Sequence, residues 1–183
     1  MPLYRIEYDT RLTAGQQDEL ADAITTLHSE RFLTARLFVN VEFVDVSNAT
    51  RYIAGQRRGG NHIRGNVRTG PARTQKDWDD LCHDIEAAWD RIVRPGLAKM
   101  KRNDKDVAST ELRSVIIIAG LIAGSEAGFT LPQAGSDAQW MKENWAAFNK
   151  KADEGDQDFI DMVKEIKQRG ILEKINGTNG VHA

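Results

Sequence analysis

The sequence holds a single cysteine, Cys82, so no disulfide can form within the chain and a disulfide-stapled secreted scaffold is excluded. An excess of one charge is missing too. Lys and Arg number 25 against 27 Asp and Glu, a net charge of −2, which gives no reason to expect nucleic acid or an anionic membrane as partner. No apolar run approaches the roughly 20 residues a membrane helix needs; the longest lies around Val115 to Ala123. No charged leader precedes an apolar segment, so no signal peptide is read and the expected location is cytoplasmic. On that expectation the glycosylation-type triplets at Asn48 and Asn176 are chance matches. No His, Cys or carboxylate spacing suits a metal. The glycine-rich "GQRRGG" leads into a strand rather than a helix, so it is no phosphate cradle.

What is present is alternation. "LYRIEYD" sets Leu3, Arg5 and Glu7 against Tyr4, Ile6 and Tyr8, the period of a strand. Thr13 with Gln16 makes a capping box, and Leu20, Ile24, Leu27 and His28 then share one helical face. "LFVNVEFVDV" reads as a second strand, parallel to the first because a helix separates them. The order then repeats. "NHIRGNV" is a short strand, and a helix runs from Thr74 to the stop at Pro95 with Trp78, Leu81, Cys82, Ile85, Trp89 and Ile92 as its buried stripe. "RSVIIIAG" predicts a central strand covered on both faces. The fold class is therefore α/β (α+β): tandem β-α-β units forming a four-stranded mixed sheet with two helices on one face, plus C-terminal helices. Residues 1–135 form the double-unit domain and 136–183 a helical extension ending in a frayed tail, while the polar stretch 96–110 is a solvated loop.

Among the candidates for chemistry, Pro2 comes first. Once Met1 is removed, its secondary amine would be the chain terminus, and α-amino groups titrate near neutrality at about 7.7–8.0. The plainer alternative is that "MP" is only a tolerated start. His28 also reads as a core or helix-terminal histidine, Arg68 and Arg73 as surface charges, and Glu126 as a loop carboxylate. His62 and His83 have no convincing partners, and Cys82, on the apolar stripe, is a poor nucleophile.

Taken in order, "MPLYRIEYDTRLT", the helix ending on His28, "QRRGGNHIRGNVRTGPAR", "IIIAG" and "SEAGFTLPQAG" resemble the tautomerase superfamily. The double-unit form is similar to its cis-3-chloroacrylic acid dehalogenase branch, over roughly Pro2 to Gly135. The resemblance implies an enzyme with an amino-terminal proline that needs no cofactor and no metal. Pro2 would transfer the proton, His28, Arg68 and Arg73 would bind and polarise a carboxylate substrate, and Glu126 would activate water. An arginine fork suits a carboxylate. Two cations near an amine lower its pKa, whereas a carboxylate raises it. The resemblance also implies a homotrimer. Two departures stand out: the arginine stretch is two residues longer than the family pattern, leaving Arg64 as a substitute for Arg73, and Ile118 falls where the dehalogenases carry a helper tyrosine. Tyr4, Tyr8 and Tyr52 are the candidates to replace it. The expected activity is keto–enol tautomerisation of a small 2-oxo, enol or unsaturated carboxylate. The alternatives are cis-3-haloacrylate dehalogenation or hydration, or a non-catalytic oligomeric binding protein of the same fold.

Overall fold

A computed structural model describes residues 2–95 and 110–173. The expected solvated loop, apart from Thr110, and the expected frayed tail lie outside the described residues.

Strand β1 (Leu3–Tyr8) runs into helix α1 (Ala14–Arg31), and a 3₁₀ turn (Arg36–Phe38) leads to β2 (Asn40–Asp45). Two short hairpin strands, β3 (Tyr52–Ile53) and β4 (Gln56–Arg57), precede β5 (Asn61–Val67). Helix α2 (Gln75–Val93) and strand β6 (Leu112–Ala119) complete the second unit. The four long strands form one sheet in the order β2-β1-β5-β6. β1 is parallel to β2 and antiparallel to β5, and β5 is parallel to β6. The sheet is mixed, as expected.

Both capping boxes form. Thr13 accepts from the Gln16 amide and Thr74 from the Asp77 amide, and each N3 side chain reaches back to its cap. The helices then lay Leu20, Ile24, Trp78, Leu81, Ile85 and Trp89 on the sheet face carrying Tyr4, Ile6, Ile63 and Val67. Cys82 is only half-buried at the edge of that stripe. β6 departs from expectation: it is the edge strand of the sheet, not a central one. Its apolar run has two destinations. Val115 and Ile117 pack on the core, while Ile116 and Ile118 stay 45% and 40% exposed on the open face.

The remaining elements build a second core. A hairpin of β7 (Ser125–Glu126) and β8 (Phe129–Thr130) leads to helices α3 (Asp137–Asp153) and α4 (Gln157–Arg169). Phe148, Phe159, Met162 and Ile166 bury against Ala35 and Phe38 beside the 3₁₀ turn. Arg169 donates to the Ser29 carbonyl at 2.9 Å and the Thr34 carbonyl at 3.3 Å, so α4 also fastens the segment after α1.

Gly65 sets the position of the Tyr4 ring. A Cβ at Gly65 would sit 2.7 Å from Tyr4 Cε1 and 2.9 Å from Ile117 Cδ1, so the bare backbone lets that ring cross β5. Gly65→Ala should therefore displace the ring and destabilise the fold by about 1–3 kcal/mol, the usual cost of overpacking. Denaturant titration checks this, and unchanged stability would contradict it.

Candidate active site

β1 holds the chain's start in register with its neighbour. The Asn40 amide donates to the Pro2 carbonyl at 3.0 Å, and Leu3 pairs with Asn40. Pro2 is buried, and the small recess beside it is lined by His28, Thr34, Arg68 and Arg73. Four residues singled out from the sequence are thus brought together: Pro2, His28, Arg68 and Arg73. Glu126 lies off that lining, but it is tied to the same end of the sheet. The Asn40 side-chain amide donates to Glu126 Oε1 at 2.9 Å, and Oε2 is buried without a hydrogen-bond partner among the described residues.

His28 is in the last turn of α1 and almost wholly enclosed. Burial, followed by the nearby Arg73 and Arg68 cations, pushes its pKa down to about 3, so it is neutral at pH 7. Its Nδ1 lies 2.8 Å from the Tyr4 hydroxyl. Tyr4 is fully buried, and its pKa is raised above the ordinary phenol value, chiefly by burial, so the phenol keeps its proton. An O–H with a single buried neighbour donates to it. Nδ1 is then the acceptor, and the imidazole proton is assigned to Nε2. Neutral His28 is thereby set up as a hydrogen-bond donor rather than a cation.

The arginines are arranged in a way the sequence did not suggest. Asp137, the first residue of α3, accepts from Arg68 Nη2 on Oδ1 and from Arg73 Nη2 on Oδ2, both at 2.9 Å. All three side chains are buried. Arg73 also donates to the Arg68 carbonyl at 3.1 Å and lies over the Phe32 ring at 4.6 Å. Its pKa is lowered by burial, with Asp137 opposing the shift. Arg68, by contrast, retains Nε and Nη1 buried and without partners among the described residues. Arg68 also forms part of a second cleft of about 300 Å³, lined by Leu121, Ile122, Leu131, Pro132 and Gln133 among others.

The sequence alternatives resolve in space. Arg64 projects to the other face of the sheet and pairs with Glu7 at 2.8 Å, so the longer arginine stretch still delivers Arg73 to the recess. Ile118 is on the open face of β6. Of the tyrosines, Tyr4 touches His28, Tyr8 packs on Phe43, and Tyr52 is exposed. Sequence reasoning missed Thr34, Asn40 and Asp137. Asn40 lay inside the expected second strand, whose first residues instead form the 3₁₀ turn, so that the strand begins at Asn40 beside Pro2; Asp137 has the position of an ordinary acid in a helix's first turn.

The family model described as "Putative oxalocrotonate tautomerase enzyme" matches residues 1–145. The chain belongs to this family, within the tautomerase superfamily. No curated protein sequence matches the chain. Its fold is similar to N1, a member of the cis-3-chloroacrylic acid dehalogenase family, with 23% identity and a TM-score of 0.54 over 76% of this chain and 90% of that one. It is also similar to a fused 4-OT symmetric trimer, 14% identical with a TM-score of 0.51 over 70% and 94% of the two chains. Leishmania major MIF2 is 14% identical, with a TM-score of 0.50 over 72% and 97%. The tautomerase-family chain shares its β-α-β core with all three. The family match ends at 145, so it stops within α3.

Because folded His28 resists protonation while unfolded His28 titrates at about 6.5, the unfolded state takes up the proton as pH falls. The His28 contribution is therefore present above about pH 6.5 and lost progressively toward pH 3, by about 2 kcal/mol between pH 7 and pH 5. Chemical denaturation of wild type and His28→Gln at both pH values tests this. The variant should lose less stability on acidification by about that amount, and parallel losses would refute the assignment.

Proposed function

We propose that this tautomerase-family chain catalyses keto–enol tautomerisation of a small 2-oxo or enol carboxylate, with Pro2 as the proton carrier. The observation that supports it is the recess itself: a buried residue 2 proline meets a neutral histidine and an arginine with two nitrogens unpartnered among the described residues. Removal of Met1 would make the Pro2 nitrogen a free secondary amine at the inner end of β1. Unprotonated, it takes the enol hydroxyl proton and returns a proton to the adjacent carbon, so the amine and the net composition of the substrate are restored at turnover's end. His28 Nε2–H donates to the oxygen that gains and loses carbonyl character. Arg68 holds the carboxylate through its free donors. Arg73, which gives one hydrogen bond to Asp137 and one to the Arg68 carbonyl, positions Arg68 and lines the recess beside it. The reaction needs no cofactor.

A second reading, hydration or dehalogenation of a 3-haloacrylate, is favoured by Glu126 alone, whose buried Oε2 is available to a water. Ile118 on the open sheet face offers no hydroxyl to orient that water, which is why tautomerisation is preferred. The trimer implied by the family resemblance fits the uncovered Ile116 and Ile118, which assembly through this face would bury.

The test uses protein whose intact mass shows that Met1 is absent. On phenylenolpyruvate-like enols, Pro2→Ala should lower kcat/KM by about 10²–10⁴-fold, the range for a removed general acid–base. Turnover unchanged in Pro2→Ala, or full activity in protein that retains Met1, would rule out the mechanism. Preferential turnover of haloacrylates, lost in Glu126→Gln, would select the second reading.

A further inference from the structure

Helix α1 ends at Arg31, and the chain must turn before β2 starts at Asn40. A turn off a helix end leaves backbone groups without helical partners. One tie is local: the Thr34 amide donates to the Ser29 carbonyl at 3.1 Å. The others come from α4. Arg169 Nη2 donates to the Ser29 carbonyl at 2.9 Å and Nη1 to the Thr34 carbonyl at 3.3 Å. One helical turn earlier, Glu165 accepts from the Arg36 amide, at 3.1 Å on Oε2 and 3.3 Å on Oε1, and it pairs with Arg169. An acid and a base on one face of α4 thus close on a single backbone segment, the base on its carbonyls and the acid on its amide.

That segment is strained. Leu33 has φ +51°, in the left-handed region that costs a residue with a Cβ and is uncommon outside glycine. Such a conformation persists where the surroundings over-determine it. Here it leaves Leu33 39% exposed and turns Thr34 inward, 3% exposed, onto the recess beside Pro2 and His28. Thr34 does little to anchor itself: its hydroxyl reaches only the Phe32 carbonyl, at 3.5 Å, among the described residues.

We infer that Arg169 is a positioning residue for the site at Pro2: with Glu165 it holds the turn that keeps Thr34 against the recess, and so sets substrate affinity from a helix outside the family match. The inference rests on the reading that this recess carries out the tautomerisation. The match ends at residue 145, whereas α4 begins at Gln157. The contact of His28 with Tyr4 and the bridge of Asp137 to Arg68 and Arg73 involve neither Arg169 nor Thr34. Releasing the clamp therefore loosens a wall that meets the substrate in ground and transition states alike, while the groups assigned to the chemistry stay in place. Its signature is a raised KM at unchanged kcat. The docking of α4 does not hang on Arg169, because Phe159, Met162, Val163 and Ile166 remain buried on the helix's inner face.

Steady-state kinetics of the Met1-free full chain on phenylenolpyruvate tests this. Arg169→Met should raise KM about fivefold or more, the effect of losing one or two modest hydrogen bonds, with kcat within about twofold. Arg169→Lys, which keeps the charge beside Glu165, should give a KM between the two. Thr34→Ala should also raise KM, and adding Arg169→Met to it should change KM less than about twofold, since both act on one contact. An unchanged KM in Arg169→Met, a loss confined to kcat, or effects of Thr34→Ala and Arg169→Met that simply multiply would overturn the inference. Should Arg169→Met not fold, Glu165→Gln loosens the same clamp from its acceptor side, and an unchanged KM there overturns it equally. Wild type without turnover, or Pro2→Ala as active as wild type, would remove the tautomerase reading and the inference with it. An active, Pro2-dependent enzyme whose KM ignores Arg169 overturns the inference alone.

Discussion

Two buried guanidiniums sharing one buried carboxylate is the constraint on which the candidate site depends. Taking three charges out of water is costly, and the cost is offset only when geometry and hydrogen bonds are good. Here Asp137 bridges Arg68 and Arg73, and Arg73 gains a carbonyl and an aromatic face besides. The bridge also connects the protein's two cores. Arg68 and Arg73 come after β5 of the sheet, whereas Asp137 opens the helix whose Met141 and Phe148 belong to the second cluster. The C-terminal helices are thereby joined to the binding geometry, and α4 adds a further restraint by holding the carbonyls of Ser29 and Thr34.

Much of this architecture is legible in the sequence where a period or a cap carries the signal. Alternation from Leu3 to Tyr8 places β1, the Thr13 and Thr74 boxes place the helix starts, and the apolar stripes identify the core. The alternation of β5 also bears on Arg64. Ile63, Gly65 and Val67 face the helices, so Arg64 must face the other way and cannot stand in for Arg73. β6 is harder to place, because a continuous apolar run marks burial on both faces without saying what buries them. Its outer isoleucines, Ile116 and Ile118, stay 45% and 40% exposed on the open face of this edge strand. Asp137 is illegible for a different reason. An acidic residue at a helix start has a sufficient local explanation in the dipole, and nothing local signals two arginines 64 and 69 residues earlier.

The histidine shows how the fold sets chemistry through a neighbour. His28 would be an ordinary near-neutral titrating group in water, but enclosure and two nearby cations keep it neutral. Tyr4 then decides which nitrogen carries the proton, and Tyr4 reaches it only because Gly65 offers no side chain at the crossing. A strand residue, a missing Cβ and a helix-terminal imidazole form one chain of cause.

Electrostatics near Pro2 obey the same economy. Two unpaired arginines would make the recess strongly cationic, depress the amine's proton affinity and attract any small dianion. With Asp137 bridging them, the field beside Pro2 is milder, and Arg68 keeps Nε and Nη1 buried without partners among the described residues. An amine that must both accept and return a proton works best when its affinity lies near the working pH, not far below it. Asp137 therefore offsets part of the charge of both arginines with one carboxylate. Because that carboxylate is fixed by a helix terminus and a packed core rather than by a loop, the balance is built into the fold.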